Sequence, residues 1–549
     1  MMVTPDSDMA QFGKSLESAA MGLTVRPGRV ITASTRFVFG LARVCTASVA
    51  RGVGLTRAPT FELESGDRRF TDPAWSDNPA FFALRQQYLA VSQFAEELVP
   101  GAGLSPMTER KAALAASFIL DALSPTNFLL TNPAALKRAF ETGGSSVLKG
   151  ARTLLEDLLH NGGRPKQVDG KAFTVGKNLA TTPCKVVYRN DLIEVLQYEP
   201  QTDQVRAAPL LCSPPWINKY YIMDLAPGRS FIEWAVKQQR TVFAISYRNP
   251  GPEKLDVTMD DYLIDGLQTA LHVVADITGA DTIDIAGLCL GGALAAITTA
   301  HEIQSGGSRI GAVTLLNTML DYSEPGVLGL FTEAATVDRL EKQMAKHGYL
   351  DGASMAATFD ALRPNDLIFN YVASNWLMGL DPPAFDILAW NSDSTRMPAA
   401  MHAFYLRNFY VENRLATGGL TIAGKQIELA TIKNKCYIVS AENDHIVPWR
   451  SAYATTQLVS GPVRFILSSG GHIAGIVNPP GHKGWYLSAD DLPPEADDWR
   501  ESASKRAGSW WDDWAQWSSA TAGDLIGPPS MGSASYPILG PGPGEYVMA

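Results

Sequence analysis

Residues 281–300, DTIDIAGLCLGGALAAITTA, constrain the fold more than any other stretch. The first half alternates apolar and polar residues as a short strand does, and the second half is Ala-rich and favours a helix. Between the halves lies Cys289, with Gly287 two residues before it and Gly291 two residues after it. A strand, a nucleophile between glycines and a helix form the layout of a nucleophile elbow, here with cysteine in place of the usual serine.

The glycines of such a turn have a physical task. The turn holds the nucleophile in a strained backbone conformation, and side chains two residues away would collide with the strand and the helix. Cys289 would then lie at a helix N-terminus, where the dipole favours a thiolate. The alternative is a buried structural cysteine in a tight strand-to-helix turn.

Composition narrows the class of protein. The chain has 549 residues, so two domains are the natural expectation, and its net charge of −10 argues against a nucleic-acid partner. Its five cysteines are scattered without a CxxC pair, which argues against a disulfide framework or a metal site and for the cytoplasm. The first residues are acidic and lack an apolar core, unlike a secretory signal. Because no run of about 18 uncharged apolar residues occurs, we expect no transmembrane segment.

The N-terminal part has two regions. Residues 1–58 predict an Arg-rich arm or amphipathic helix. It either lies on a hydrophobic or anionic surface, packs on the rest of the protein as an ordinary helix, or is a loose arm. Residues 59–170 carry apolar residues at helical spacing and predict a helical domain that ends in a Gly-containing linker. The arginines of the arm are Arg26, Arg29, Arg36, Arg43, Arg51 and Arg57.

Residues 171–549 predict a catalytic α/β domain. Near-continuous apolar strands alternate with helices there, as in a mostly parallel sheet. A helical, aromatic-rich insertion at about 321–428 interrupts the alternation where such sheets carry a lid. The tail from about 493 to 549 is rich in tryptophan, for which core or subunit packing is the simplest interpretation. Its Gly-Pro-Gly-Pro-Gly run suggests a flexible extremity.

A thiol nucleophile needs a base, and the base needs an orienting acid. In this topology the chain order is nucleophile, acid, histidine. Asp444 follows the strand that begins at Cys436, and His472 lies in the Gly-rich loop after the next strand. We therefore predict Cys289, Asp444 and His472 as the catalytic residues. The competitors are His445 as the base and Glu442 as a helper carboxylate.

An oxyanion hole needs two preorganised N–H groups. One is predicted to be the backbone N–H of Leu290, directly after the nucleophile. The other should come from the loop after an early strand, within APLLCSPPWINKYY, so the backbone N–H of Trp216 or Ile217 is the candidate.

Seven ordered runs make the chain similar to a known family. They are DALSPTNFLLTNP, PPWINKYYIMDL, ISYRNP, GLCLGG, FDILAWNSDSTRMP, AENDHIVPW and GGHIAGIVNPP. Together they span most of the chain, and they resemble the single-subunit, class I-like polyhydroxyalkanoate synthases. The resemblance implies an α/β-hydrolase core with a lid and a helical N-terminal domain. One departure is the tyrosine of ISYRNP, where tryptophan is more usual.

The same resemblance implies an acyltransferase that polymerises (R)-3-hydroxyacyl-CoA and releases CoA. The family's nucleophile, acid and histidine fall on Cys289, Asp444 and His472. No metal or separate cofactor is expected, because CoA is part of the substrate and the leaving group. The expected partners are the growing polyester chain, the granule surface in the cytoplasm and a second copy in a homodimer.

Three matters stay open in the sequence. His472 could deprotonate the 3-hydroxyl with Asp444 orienting it, or Asp444 could act more directly. A Cys-nucleophile thioesterase or polyester depolymerase would use the same three residues, and a non-catalytic granule protein would keep only the fold. The CoA and substrate contacts are assigned to four candidates: Arg248, Trp390, Arg396 and Arg407.

Overall fold

Near-continuous apolar segments beyond residue 183 pair into one large sheet. The computed structural model describes residues 6–55, 58–64 and 66–549. The chain divides into two units: residues up to 169 with 357–384, and residues 170–356 with 385–549. The strands, in chain order, are β1 (Cys184–Arg189), β2 (Ile193–Tyr198), β3 (Val205–Arg206), β4 (Leu210–Ser213), β5 (Val242–Tyr247), β6 (Ile283–Leu288), β7 (Ile310–Leu316), β8 (Tyr349–Leu350), β9 (Met397–Pro398), β10 (Thr421–Ile422), β11 (Lys425–Gln426), β12 (Cys436–Ala441), β13 (Val463–Ser468), β14 (Trp485–Ser488), β15 (Ser504–Ala507), β16 (Leu525–Ile526) and β17 (Gly540–Pro541).

Helices surround and precede these strands. Four segments are π-helices, at Tyr262–Gln268, Asn365–Phe369, Val372–Leu377 and Leu406–Val411. The α-helices are α1 (Asp6–Thr24), α2 (Pro27–Gly52), α3 (Ala74–Asp77), α4 (Pro79–Gly101), α5 (Pro106–Ala122), α6 (Pro133–Glu141), α7 (Ser145–His160), α8 (Phe231–Lys237), α9 (Met259–Asp261), α10 (Thr269–Thr278), α11 (Leu290–Gln304), α12 (Ala334–His347), α13 (Gly352–Leu362), α14 (Asp386–Ser392), α15 (Ala399–Tyr405), α16 (Arg414–Thr417), α17 (Trp449–Tyr453), α18 (Thr455–Leu458), α19 (Ala496–Ser502) and α20 (Trp510–Thr521).

The sheet has eleven strands in the order β15-β14-β13-β12-β7-β6-β4-β5-β2-β1-β17. Its six central strands, from β13 to β5, run parallel, whereas the outer strands pair antiparallel. Parallel strands expose their carboxyl ends at one edge, where the loops after β4, β6, β12 and β13 meet. The predicted α/β architecture with a mostly parallel sheet is confirmed.

The catalytic unit has its core on this sheet. Every residue of β4, β5, β6 and β12 is buried, and so are the first twelve residues of α11. A central helix that is apolar on all sides fits between the sheet and the outer helices, because it has no face that must reach water. This burial fixes the start of α11 directly after the end of β6.

The C-terminal segment belongs to the same unit and is ordered. Trp510, Trp511 and Trp514 are almost fully buried, as core packing requires. Gly540 and Pro541 pair with β1, and the N–H groups of residues 545 and 546 donate to the buried carboxylate of Glu194. The expectation of a flexible extremity at the Gly-Pro run is therefore wrong, because the run supplies an edge strand and its continuation satisfies a buried acid.

The helical unit is built from α1 to α7. Within it α2 packs on α4, with the rings of Phe37 and Phe94 5.0 Å apart. Arg36 pairs with Glu97 at 3.4 Å, and the guanidinium of Arg51 lies 3.7 Å from the ring centroid of Phe82. Arg36 and Arg51 thus contact the rest of the unit from α2, whereas Arg57 lies outside the described residues.

The opposite side of α2 faces outward. Its buried residues are small or short, whereas Ile31, Val38, Phe39 and Val49 are all more than 60% exposed. Among the described residues, α2 is the one helix that is long and apolar enough, by length and composition only, to cross a membrane. One face of α2 therefore packs on the unit and the other is an exposed apolar surface, while binding of that surface to a hydrophobic or anionic partner stays a prediction.

Residues 357–384, from the middle of the predicted lid, belong to the helical unit. The indole of Trp376 donates to Asp157 at 2.8 Å, and its backbone carbonyl lies where a side chain on Gly150 would be. Gln167 donates to Asp360 at 3.0 Å. The insertion at 321–428 is therefore shared between the two units.

Candidate active site

The turn between β6 and α11 has the strained geometry of an elbow. Cys289 has φ +52° and ψ −116°, a conformation that side chains rarely adopt, and its N–H donates to the carbonyl of Leu316 at 2.8 Å. A Cβ atom on Gly291 would overlap the carbonyl oxygen of Ser213, and one on Gly292 would overlap the side chain of Thr318. Glycine is needed at 291 and 292 because Ser213 and Thr318 approach the turn so closely.

Cys289 differs from the other cysteines in its surroundings. It is partly exposed at the first turn of a helix, whereas Cys184, Cys212 and Cys436 are buried. Burial raises the pKa of each of those three thiols, that of Cys436 to about 12, so they stay protonated. Cys45 is exposed on α2 in the other unit. Position and exposure therefore single out Cys289 as the reactive thiol.

Asp444 lies in the loop after β12, and its carboxylate is completely buried. One oxygen accepts the backbone N–H groups of Ile446 and Val447 at 2.8 and 2.9 Å. The other oxygen lies 2.7 Å from Nδ1 of His472. These contacts fix the carboxylate and assign the proton on Nδ1 to the hydrogen bond with Asp444.

His472 lies in the loop after β13 and is buried between the acid and the thiol. Its ring is also within hydrogen-bonding reach of Cys289. Burial alone would lower the pKa of His472, but the charges of Asp444 and of the Cys289 thiolate, and hydrogen bonds to both, raise it to about 10. The structure thus brings the three predicted residues together, with His472 in contact with both Asp444 and Cys289.

The competing residues lie in other contacts. The carboxylate of Glu442 pairs with Arg500 in a very close contact. His402 is buried on α15, and that burial lowers its pKa to about 4. The second oxygen of Asp444 lies 2.7 Å from Nδ1 of His472. The geometry therefore favours His472 over the other histidines as the base.

The loop after β4 lies against the elbow. The hydroxyl of Ser213 donates to the carbonyl of Gly291 at 3.0 Å. Thr395 holds the next residues, donating through its hydroxyl to the Trp216 carbonyl at 2.9 Å and through its N–H to that of Ile217 at 3.3 Å. Leu290 opens α11, so its N–H has no acceptor within the helix. The N–H groups of Leu290 and of Trp216 or Ile217 remain the candidates for the oxyanion hole.

The four residues predicted to contact CoA or substrate each interact with other residues of the protein. Arg407 is held by Glu341 and Asp338, each at 2.7 Å, and Arg248 lies 3.4 Å from Asp191. The indole of Trp390 donates to the carbonyl of Lys219 at 2.7 Å. Arg396 lies with its guanidinium 5.0 Å from the Tyr349 ring centroid. Pairing of Arg407 with two carboxylates makes it the weakest phosphate ligand of the three arginines.

Two features of the candidate active site were not predicted from the sequence. Asn317, with φ +41° at the end of β7, donates a very short hydrogen bond from its side chain to the carbonyl of His472. Tyr322, Tyr405 and Tyr410 form a tyrosine cluster, with their ring centroids between 4.9 and 6.2 Å apart. Asn317 could have been suspected from its place after a parallel strand, whereas nothing in the helical period brings the tyrosines together.

Comparisons with known proteins bear on the whole chain. A family model described as the N-terminus of poly-beta-hydroxybutyrate polymerase (PhaC) matches residues 66–235, and the alpha/beta hydrolase fold model matches residues 220–479. The chain is 39% identical to a poly(3-hydroxyalkanoate) polymerase of Methylorubrum extorquens, over 98% of this chain and 90% of the relative. It is 40% identical to the poly(3-hydroxyalkanoate) polymerase subunit PhaC of Cupriavidus necator, over 88% of this chain and 83% of the relative.

Proposed function

Since the chain belongs to the poly(3-hydroxyalkanoate) polymerase family, we propose that it polymerises (R)-3-hydroxyacyl-CoA and carries the acyl group on Cys289. The family resemblance and the α/β-hydrolase fold inferred from the seven sequence runs are confirmed by these matches. The single observation that supports the mechanism is the hydrogen-bonded series from Cys289 through His472 to Asp444.

In the first step the Cys289 thiolate attacks the thioester carbonyl, while the proton of the thiol rests on His472. The N–H groups of Leu290 and of Trp216 or Ile217 hold the oxyanion. The carbon–sulfur bond to CoA breaks, and the departing CoA thiolate takes the proton from His472. Exchange of one thioester for another is nearly balanced, whereas an oxygen ester on serine would be a more stable trap.

In the second step a 3-hydroxyl attacks the acyl carbonyl, and His472 accepts the hydroxyl proton. The carbon–sulfur bond to Cys289 breaks, so an ester forms and the Cys289 thiolate is the leaving group. Asp444 acts by orienting the ring, because both of its oxygens are already occupied and its side chain is completely buried. A direct attack of Asp444 on the hydroxyl proton would first require loss of these contacts. Of the two alternatives left by the sequence, this burial supports the orienting role.

The site must also exclude water, which would hydrolyse the acyl-enzyme. Tyr405 and Phe409 of the insertion are buried, and the ring of Tyr405 lies 6.3 Å from that of Trp216 in the loop after β4. This aromatic wall supports the proposal that part of the insertion serves as a lid. The chemistry needs no group other than CoA, which the substrate supplies.

The product suggests where the enzyme works. The polyester is apolar, and the exposed face of α2, with Val38 and Phe39, offers apolar area for its surface. On α7, Leu148 and Leu159 are also mostly exposed. We propose that the enzyme acts in the cytoplasm at the surface of polyester granules, with these faces toward the polymer. The homodimer implied by the resemblance is tested by sedimentation of the purified protein.

The decisive experiment incubates the purified protein with (R)-3-hydroxybutyryl-CoA and follows both CoA and the acyl product. Insoluble polyester with stoichiometric CoA release is the expected result, and Cys289→Ala should abolish both. Release of free hydroxy acid without polymer would identify a thioesterase instead. CoA release that persists in Cys289→Ala would remove the cysteine from the mechanism.

A further inference from the structure

Strand β7 lies between the strand that ends at the nucleophile and the strand that leads to the acid. Leu316, at its end, pairs with Leu288 of β6 on one side and with Val439 of β12 on the other. The carbonyl of Leu316 accepts the N–H of Cys289 at 2.8 Å. The next residue, Asn317, is therefore placed at the sheet edge where the loops of the candidate catalytic residues meet.

Asn317 makes hydrogen bonds toward both of the other catalytic residues. Its backbone N–H donates to the carbonyl of Val439 at 2.8 Å, in the strand that leads to Asp444. Its side-chain Nδ2 donates to the backbone carbonyl of His472 in a very close contact. Together with the preceding carbonyl, which holds the nucleophile, two consecutive residues thus bind the backbone at all three parts of the site.

The conformation of Asn317 is unfavourable in two respects. The residue is fully buried, and its φ of +41° lies in the left-handed region, which asparagine tolerates better than most residues but still at a cost. Its side-chain Oδ1 is buried and has no hydrogen-bond partner among the described residues. Turning the amide over would bring Oδ1 against the His472 carbonyl, where two acceptors repel. Strain that is retained for one contact suggests that this contact has a function.

The loop that carries His472 needs such a contact. Two glycines directly precede the histidine, and Gly470 has φ +112°, so the backbone there has unusual conformational freedom. The carbonyl of Gly470 accepts the N–H of Asn443 at 2.9 Å, which joins this loop to the loop of the acid. The bond from Asn317 joins it instead to β7, the strand that also holds the nucleophile.

We propose that Asn317 is a positioning residue, which sets the separation of His472 from Cys289 by holding the His472 carbonyl. Its amide bonds the backbone and not the imidazole ring, so it acts through the histidine. Without this bond the glycine-containing loop can shift and carry the ring away from the sulfur. The inference rests on the proposed function for its rate measurement, whereas its thiol measurement requires no polymerase activity.

The test variant is Asn317→Gly, which removes the amide, keeps the N–H that bonds Val439 and adopts a positive φ without strain. In CoA release from (R)-3-hydroxybutyryl-CoA, kcat should fall about 10²-fold while KM stays within about twofold. The matched control is Asn434→Gly, which removes an amide that bonds the Ile310 and Gly311 carbonyls, both at 2.7 Å. Because these carbonyls lie at the opposite end of β7, the control should keep the unaltered kcat.

A second measurement follows the thiol itself and needs no acyl substrate. Iodoacetamide alkylates Cys289, and the exposed Cys45 on α2 is the reference thiol within the same molecule. The rate at Cys289 relative to Cys45 should fall about tenfold in Asn317→Gly, because a displaced His472 no longer takes the thiol proton. Unfolded molecules are recognised and excluded, because they also alkylate the three buried cysteines, Cys184, Cys212 and Cys436.

The proposal is overturned if Asn317→Gly keeps either the unaltered kcat or the unaltered alkylation ratio. An unchanged ratio together with a lower melting temperature would indicate a structural role alone. An equal loss in Asn434→Gly would indicate a general effect of β7 and also overturns it, as does a raised KM at unchanged kcat. Failure of the proposed function gives a different result, since Cys289→Ala would then still release CoA while the alkylation ratio still reports on the histidine.

Discussion

Asp444 lies 2.7 Å from Nδ1 of His472 through one carboxylate oxygen and binds two backbone N–H groups through the other. The carboxylate thus has a fixed orientation before any substrate arrives. The ring that it orients is also within hydrogen-bonding reach of Cys289. The direction of the His472 ring therefore depends on this hydrogen bond, and the raised pKa of His472 depends on it together with the contact to Cys289.

Asp444→Asn should lower the steady-state rate of CoA release about 10³-fold or more, because an amide favours the wrong tautomer of His472. Glu442→Gln is the matched control, since Glu442 lies two residues away and pairs with Arg500. It should leave turnover unchanged. If Glu442→Gln lost turnover and Asp444→Asn kept it, Glu442 and not Asp444 would orient the base.

Cys289→Ala should lower the pKa of His472 from about 10, because it removes the thiolate charge and one hydrogen bond. Asp444 remains in the variant and should keep part of the elevation. NMR titration of the histidine ring in both proteins measures the difference. Identical titration curves would mean that the sulfur and the ring do not interact.

Asp224 should make stability depend on pH. Burial raises its pKa from 3.8 to about 6, against the opposing effect of hydrogen bonds from Thr182, Ser230 and Tyr198. A raised carboxyl pKa means that the folded state holds the proton more tightly, so this stabilisation is present below pH 3.8 and is lost as the pH rises to about 6. The loss is about 3 kcal/mol.

Urea unfolding at pH 4 and pH 7 gives the free energy of unfolding of the unaltered protein and of Asp224→Asn, whose amide cannot titrate. The unaltered protein should lose stability relative to Asp224→Asn across that interval. Asp203→Asn, at an exposed position, keeps Asp224 and should follow the pH dependence of the unaltered protein. Parallel pH profiles for Asp224→Asn and the unaltered protein would contradict the buried, titrating carboxyl.

Gly291→Ala should destabilise the catalytic unit and reduce CoA release, because the added methyl group would overlap the Ser213 carbonyl. Overpacking of this kind costs about 1–3 kcal/mol or more. Gly28→Ala in the first turn of α2 is the control, since its Cβ would meet open space and alanine favours a helix. Thermal unfolding of both variants gives the comparison; equal melting temperatures would argue against the close approach at the elbow.

Val38→Ser combined with Val49→Ser should weaken binding to polyester particles, by roughly fivefold for each valine, because less apolar area is buried. Their melting temperature should stay unchanged, since both side chains are more than 60% exposed. Val44→Ala, on the buried face of α2, should instead lower the melting temperature and leave particle binding intact. Co-sedimentation with the particles measures binding, and equal binding by all variants would exclude this face.

The sequence was sufficient to predict the central strands and the place of each candidate catalytic residue. Gly287, Cys289 and Gly291 carry a local pattern, and Asp444 and His472 each follow a strand whose apolar run is easily recognised. Parallel topology then brings their loops to one edge. Residues at strand ends were predictable because periodicity and chain order together determine their position.

Other features depend on contacts that no local pattern contains. The tyrosine cluster needs a π-helix, whose five-residue spacing places Tyr405 and Tyr410 together against the usual helical period. The pairing of Gly540 and Pro541 with β1 joins residues more than 350 positions apart, within a run typical of loose ends. Residues 357–384 likewise belong to the helical unit because of tertiary contacts such as that of Trp376 with Asp157.

The two outermost strands of the large sheet have a consequence for an enzyme that makes an insoluble polymer. At one border lies β15, four exposed residues including Lys505 and Arg506, and at the other lies β17, two residues long and ending in Pro541. Short borders with cations or proline discourage strand addition by a neighbouring molecule. On the granule surface proposed above, copies of the enzyme would therefore resist stacking into extended β-assemblies.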